Sequence, residues 1–155
     1  QLRRGGDRQK EEAATALANL AACDADNRVA IAKAGGIPPL VALARDGTDG
    51  QKEEAAAALG NLAGNADNTV AIAKAGGIAP LVALARDGTD EQKRCAAGAL
   101  MCLACNADNQ VAIVRAGGIA PLVALARDGT EAQKEEAAAA LAVLAANDAN
   151  KLAIA

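Results

Sequence analysis

Apolar and polar positions along this chain are grouped in blocks that recur. Leu81, Val82 and Leu84 fall in a run bounded by Gly-Gly on one side and Asp-Gly on the other. Further on, Leu100, Leu103 and Ala104 recur at helical spacing, as Leu59, Leu62 and Ala63 do one block earlier. The pattern predicts three helices per block. The first is short, Asn68 to Ala75, with Asp67 or Asn68 as N-cap and Gly76-Gly77 as its stop. The second runs from Ile78 to Arg86, tolerates Pro80 in its first turn and ends at Gly88. The third, Asp90 to Cys105, is the longest. Thr89 with Gln92 has the spacing of a capping box, repeated by Thr48 with Gln51 and Thr130 with Gln133. Arg45, Arg86 and Arg127 sit in last turns, where the helix dipole favours a cation.

The block is a sequence repeat. Gly-Gly-Ile begins at Gly35, Gly76 and Gly117, a step of 41 residues each time. Gln-Lys recurs at Gln9, Gln51, Gln92 and Gln133. The first of those steps is 42, with the extra residue expected in a loop at Ala22-Cys23-Asp24. One such unit has too little apolar surface to fold alone; stacked neighbours bury it jointly.

Gly-Gly-Ile-x-Pro-Leu-Val in the second helix and Ala-Leu-x-Asn-Leu-Ala in the third resemble the armadillo repeat. The resemblance covers the whole chain and implies an all-α, right-handed α-solenoid of three-helix repeats with period 41. The expected organisation is one solenoid over 1–155. Residues 1–25 end a partial repeat, 26–65, 67–106 and 108–147 are complete repeats, and 148–155 start another. HEAT repeats, the alternative, usually have two helices and lack the Gly-Gly-Ile break. The near-identity of the repeats fits recent duplication and consensus-style design equally well.

Composition narrows the function. The chain is 52% hydrophobic yet has no Phe, Trp or Tyr, so its layers pack thinly over Ala and Leu. It has no His and no Ser, which excludes Ser-His-Asp and Cys-His catalysis by its own side chains. No cofactor or metal site is expected, and the protein is read as a binding scaffold, not an enzyme. A net charge of −3 and the lack of aromatic stacking platforms argue against nucleic acid as a partner. Charged residues interrupt every apolar run, so no membrane span is expected. Gln1-Leu2-Arg3-Arg4 is not followed by the apolar core of a secretory signal. Four Cys without a paired framework fit a reducing compartment, the cytoplasm or nucleus.

The armadillo resemblance implies a concave groove lined by third helices, which binds a protein or extended peptide, Lys/Arg-rich where acidic side chains face it. An Asn ladder would bond the peptide backbone, with a Trp four residues earlier and an acidic residue seven earlier. Positions i, i+4 and i+7 do share one helix face. Here the Asn position holds Asn19, Asn61, Cys102 and Val143. The acidic position holds Glu12, Glu54, Cys95 and Glu136, and the Trp position Thr15, Ala57, Gly98 and Ala139. With no Trp, the groove has no aromatic slots and its binding is expected to be weak. The plainer alternative is that the two Asn bond local backbone and the three Glu are solvated surface charges.

Cys95, Cys102 and Cys105 are expected as one stripe on the third helix, facing the groove. Cys95 and Cys102 lie about 10 Å apart along the axis, too far to share one small ion. The stripe reads as small, weakly polar side chains, and Cys23 is too remote in the stack to join it. Glu11-Glu12, Glu53-Glu54 and Glu135-Glu136 are adjacent pairs that point about 100° apart, so they do not converge as acid–base partners. The apolar Leu152-Ala153-Ile154-Ala155 and the polar Arg3, Arg4, Asp7 and Arg8 suggest one uncovered and one partly capped end. End-to-end self-association is therefore a further expectation. The runner-up function is a structural solenoid with a vestigial groove, touching its partners through its ends or convex face.

Overall fold

A computed structural model describes residues 2–146, with side chains from Gly6 onward. The expectations for Arg3 and Arg4 side chains, for Asn147 and for the repeat start at 148–155 lie outside the described residues. Within them are ten α-helices and no strand. The long α1 (Leu2–Cys23) is followed by three helix triplets. These are α2 (Ala25–Lys33), α3 (Ile37–Asp46) and α4 (Asp49–Leu62), then α5 (Ala66–Lys74), α6 (Ile78–Asp87) and α7 (Asp90–Leu103). The last is α8 (Ala107–Arg115), α9 (Ile119–Asp128) and α10 (Glu131–Ala145). The third helices pack side by side in the order α1, α4, α7, α10, and α4, α7 and α10 each also pack against the second helix of their own repeat. The architecture is an all-α solenoid.

The two glycines between first and second helices act differently. Gly76 has φ +81°, a left-handed conformation that closes α5 and turns the chain 85° into α6. Gly77 instead gives clearance: a Cβ there would stand 2.6 Å from Ile72 Cγ2 and 3.0 Å from its carbonyl oxygen.

Small side chains set the spacing between layers. Ala55, Ala56, Ala58, Ala96, Ala97, Ala99, Ala137 and Ala140 are all buried in the row of third helices. A Cβ on Gly60 would meet Ala99 at 3.5 Å, so α4 and α7 approach almost backbone to backbone. Leu59, Leu62, Leu100, Leu103 and Leu144 fill the space beneath. Burial of this kind contributes about 25 cal/mol per Å² of apolar surface, chiefly at the faces between repeats.

Buried amides tie one repeat to the next. All three capping boxes form. Each capping glutamine then does a second job: Gln51, Gln92 and Gln133 donate from Nε2 to the carbonyls of Asp7, Asp49 and Asp90, at 2.8, 2.9 and 2.8 Å. Asn68 Nδ2 donates to Arg28 O and Leu62 O, and Asn109 Nδ2 to Thr69 O and Leu103 O. Every buried side-chain N or O among the described residues has a partner.

Several local expectations are corrected. The first helices are capped by Asp24, Asn65 and Asn106, not by the residues at 67 or 68. Their side chains accept from the N–H of the second or third residue onward, which starts the helix earlier. Cys23 is not in a loop but is the last residue of α1. The extra residue lengthens that helix, because Asp24 caps the next one at once. The third helix of the middle repeat stops at Leu103, with Ala104 as C-cap, so Cys105 lies past its end.

Candidate functional site

The exposed face of the third-helix row carries two clefts. One, of about 340 Å³, lies over α4, α7 and α10 and is lined by Asn61, Cys95, Gly98, Cys102 and Glu136, with Arg94 beside them. The other, of about 410 Å³, lies on α1 and is lined by Arg8, Glu11, Glu12, Thr15 and Asn19. The structure thus brings Asn61, Cys95, Cys102 and Glu136 together and sets Glu12 and Asn19 apart at the α1 end. Glu54 lies between them, close enough for its charge to act on the Cys95 thiol.

Helix periodicity explains the grouping. Cys95, Gly98 and Cys102 follow one stripe of α7, and the missing side chain at Gly98 leaves space that Glu136 leans into. A Cβ on Gly98 would stand 3.3 Å from the Glu136 carboxylate. Asn61 is not free of the scaffold: its Nδ2 donates to Ala18 O, one repeat back, at 2.9 Å. An amide nitrogen has two N–H groups and its oxygen two lone pairs. Asn61 therefore ties α4 to α1 and keeps hydrogen-bonding capacity toward the cleft.

The face is acidic, with Arg8 and Arg94 set among its carboxylates. Arg8 meets Glu12 at 3.8 Å, an exposed pair of small energetic weight. Burial raises the Glu53 carboxyl above its usual range, and Glu54, Glu91 and Glu11 push the same way while Arg94 opposes them. Arg94 donates from Nε and Nη2 to Glu91, and that bond holds Glu91 below the ordinary carboxylate range.

The cysteine stripe divides. Cys95 is mostly buried, which pushes its thiol up to about 11, with a smaller lowering by Arg94. Burial also raises Cys102, and Cys105 and Glu136 add to the shift. Both are neutral thiols at physiological pH, not nucleophiles. Cys105, past the end of α7, does not line that cleft but a second hollow with Cys102, Ala63, Gly64 and Thr69, so Cys102 borders both. The expected single stripe of three is thus cut short by the end of α7.

Sequence reasoning missed Arg94 and the bond by which Asn61 ties its helix to the preceding repeat. The signal for Arg94 was present: Lys-Glu-Glu at 10–12, 52–54 and 134–136 becomes Lys-Arg-Cys at 93–95.

Known proteins supply the comparison. A family model described as armadillo/beta-catenin-like repeat matches residues 24–64 and 106–146, just over half of the chain. No curated protein matches. Among solved structures, the chain is similar to an engineered protein at 36% identity with a TM-score of 0.86, covering 91% of this chain and 58% of that one. It is also similar to a designed armadillo repeat protein in complex with the peptide (KR)4, at 29% identity and TM-score 0.84, covering 91% and 60%. A third is a computationally designed armadillo repeat protein for modular peptide recognition, at 29% and 0.85, again covering 91% and 60%. The chain spans about three fifths of the length of these structures. By its repeats, its helix triplets and these matches, the chain belongs to the armadillo/beta-catenin-like repeat family.

Proposed function

We propose that the row of third helices is a groove for an extended, basic peptide and that the protein is an interaction scaffold. The observation that carries this reading is that Glu12 lines one cleft and Glu136 the other beside Asn61, with Glu54 near enough to act on Cys95 by its charge. The carboxylates suit Lys or Arg side chains, and Asn61 suits a peptide backbone group that has left water. A similar designed protein holds a (KR)4 peptide, which supports the same ligand chemistry. The test is a fluorescence-anisotropy titration with a dye-labelled Lys/Arg peptide at two salt concentrations. Saturable binding that weakens as salt screens the carboxylates is the expected result. Glu54→Ala should cost about three- to five-fold in affinity. Binding indifferent to salt and to Glu54→Ala would place the ligand elsewhere.

A second reading, an assembly element that stacks through its outer layers, rests on apolar exposure in α1 and α9. Leu20 is 50% exposed whereas its counterpart Leu62 is buried, and Val123 is 40% exposed whereas Val41 and Val82 are buried. Light scattering across a hundred-fold concentration range decides it: a constant monomer mass counts against end stacking.

A further inference from the structure

The acidic face is interrupted by a cation at one repeat. In α1, α4 and α10 the two positions at this rim are Glu11-Glu12, Glu53-Glu54 and Glu135-Glu136; in α7 they are Arg94 and Cys95. Lys93, the residue before, does not belong to this face; it lines a different cleft with Arg86, Asp90 and Asp128. Arg94 lies at the cleft with Asn61, Cys95 and Glu136, and its side chain is half-exposed. Three carboxylates lie around it, Glu91, hydrogen-bonded on its own helix, Glu53 from α4 and Glu136 from α10, and the neutral Cys95 sulfur accepts from its Nη2. Glu91 takes the Nε and Nη2 edge of the guanidinium. A guanidinium has five N–H donors, so Arg94 keeps capacity for a further carboxylate.

A uniformly basic ligand would bring a cation against this guanidinium midway along the groove. Like charges at a rim cost little individually but decide between ligands of otherwise equal fit. The fixed cation, set between acidic layers on both sides, therefore acts as a charge filter. We propose that Arg94 makes the groove selective for an extended peptide in which two basic stretches flank an acidic residue, the acidic residue seating at α7. This rests on the groove reading above and adds the ligand's charge pattern to it.

The experiment is a glutamate scan. A labelled eight-residue basic peptide and its eight single-Glu variants are titrated into the wild-type chain, Arg94→Glu and Arg94→Gln, with circular dichroism confirming equal helix content. The scan makes the result independent of peptide direction. For the wild type, Glu at an internal position should bind equally well or about three- to five-fold better than the all-basic peptide, and Glu at either end worse. Arg94→Glu should abolish the internal preference and bind the all-basic peptide best, with Arg94→Gln in between. Identical profiles for all three proteins, with saturable binding, would overturn the role of Arg94 and leave the basic groove standing. No saturable binding of any peptide to any of the three would overturn the groove itself.

Discussion

Asn109 Nδ2, on α8, donates to two backbone carbonyls of the preceding repeat at 3.1 Å each, Thr69 O on α5 and Leu103 O at the end of α7. One buried amide thereby closes the end of α7 and joins two first helices. Removing it loses both bonds between helices, while Leu103 O keeps the Asn106 N–H and Thr69 O stays inside α5. Asn109→Ala should therefore destabilise the chain by about 1–3 kcal/mol, the worth of two hydrogen bonds. Urea unfolding followed by circular dichroism checks this; a midpoint equal to wild type would mean that the amide does not hold the two repeats together.

The glycine pairs should respond unequally to alanine. At Gly76 the space is open but φ is positive, so Gly76→Ala is expected to cost about 1–2 kcal/mol through backbone strain alone. At Gly77 the new Cβ collides with Ile72 at both side chain and carbonyl, and part of that contact is rigid backbone. Gly77→Ala should therefore be the more damaging of the two. Thermal melts of the single variants measure the order, and a reversed order would contradict the separate roles.

Cys95 should be a slow thiol. With its pKa pushed up to about 11, roughly one Cys95 in a thousand is thiolate at pH 8. Alkylation by iodoacetamide, read by peptide mass spectrometry, should label exposed Cys23 well before Cys95. The Cys95 rate should climb about ten-fold per pH unit above pH 8. Cys95 labelling first at pH 8 would contradict its burial.

Glu53 gives a pH prediction of definite sign. Its carboxyl is raised in the folded chain, so the native state binds its proton more tightly than the unfolded state does. Its ionisation therefore lowers stability as pH rises through the carboxylate range. Glu53→Gln should raise the unfolding midpoint slightly at pH 7, and the gain should vanish well below the carboxylate range, where Glu53 is neutral in both states. A lower midpoint at pH 7 would mean that the charge is favourable where it sits.

The fold was legible because each local signal repeats. Gly-Gly-Ile, Thr-x-x-Gln and the Leu spacing of the third helix all point to the same helix triplet. What sequence could not supply was the second role of residues whose first role was plain. Gln92 reads as a capping residue, but its Nε2 reaches Asp49, 43 residues earlier, only because the layers stack closely. Cys105 looked continuous with Cys95 and Cys102 because periodicity carries no stop signal at Ala104, where no glycine marks the helix end. The groove face itself was readable from spacing, while its division into two clefts depended on where Arg8, Gly98 and Arg94 come to lie.

The central claim is that the ligand lies along the third helices. A basic peptide carrying a spin label, added to uniformly 15N-labelled protein, tests it most directly by distance-dependent loss of amide signals. The account predicts the strongest broadening at Ala57, Asn61, Gly98 and Cys102, with Arg86 and Asp128 the least affected. Broadening centred on Arg86 and Asp128, with the Asn61 and Gly98 signals intact, would contradict it.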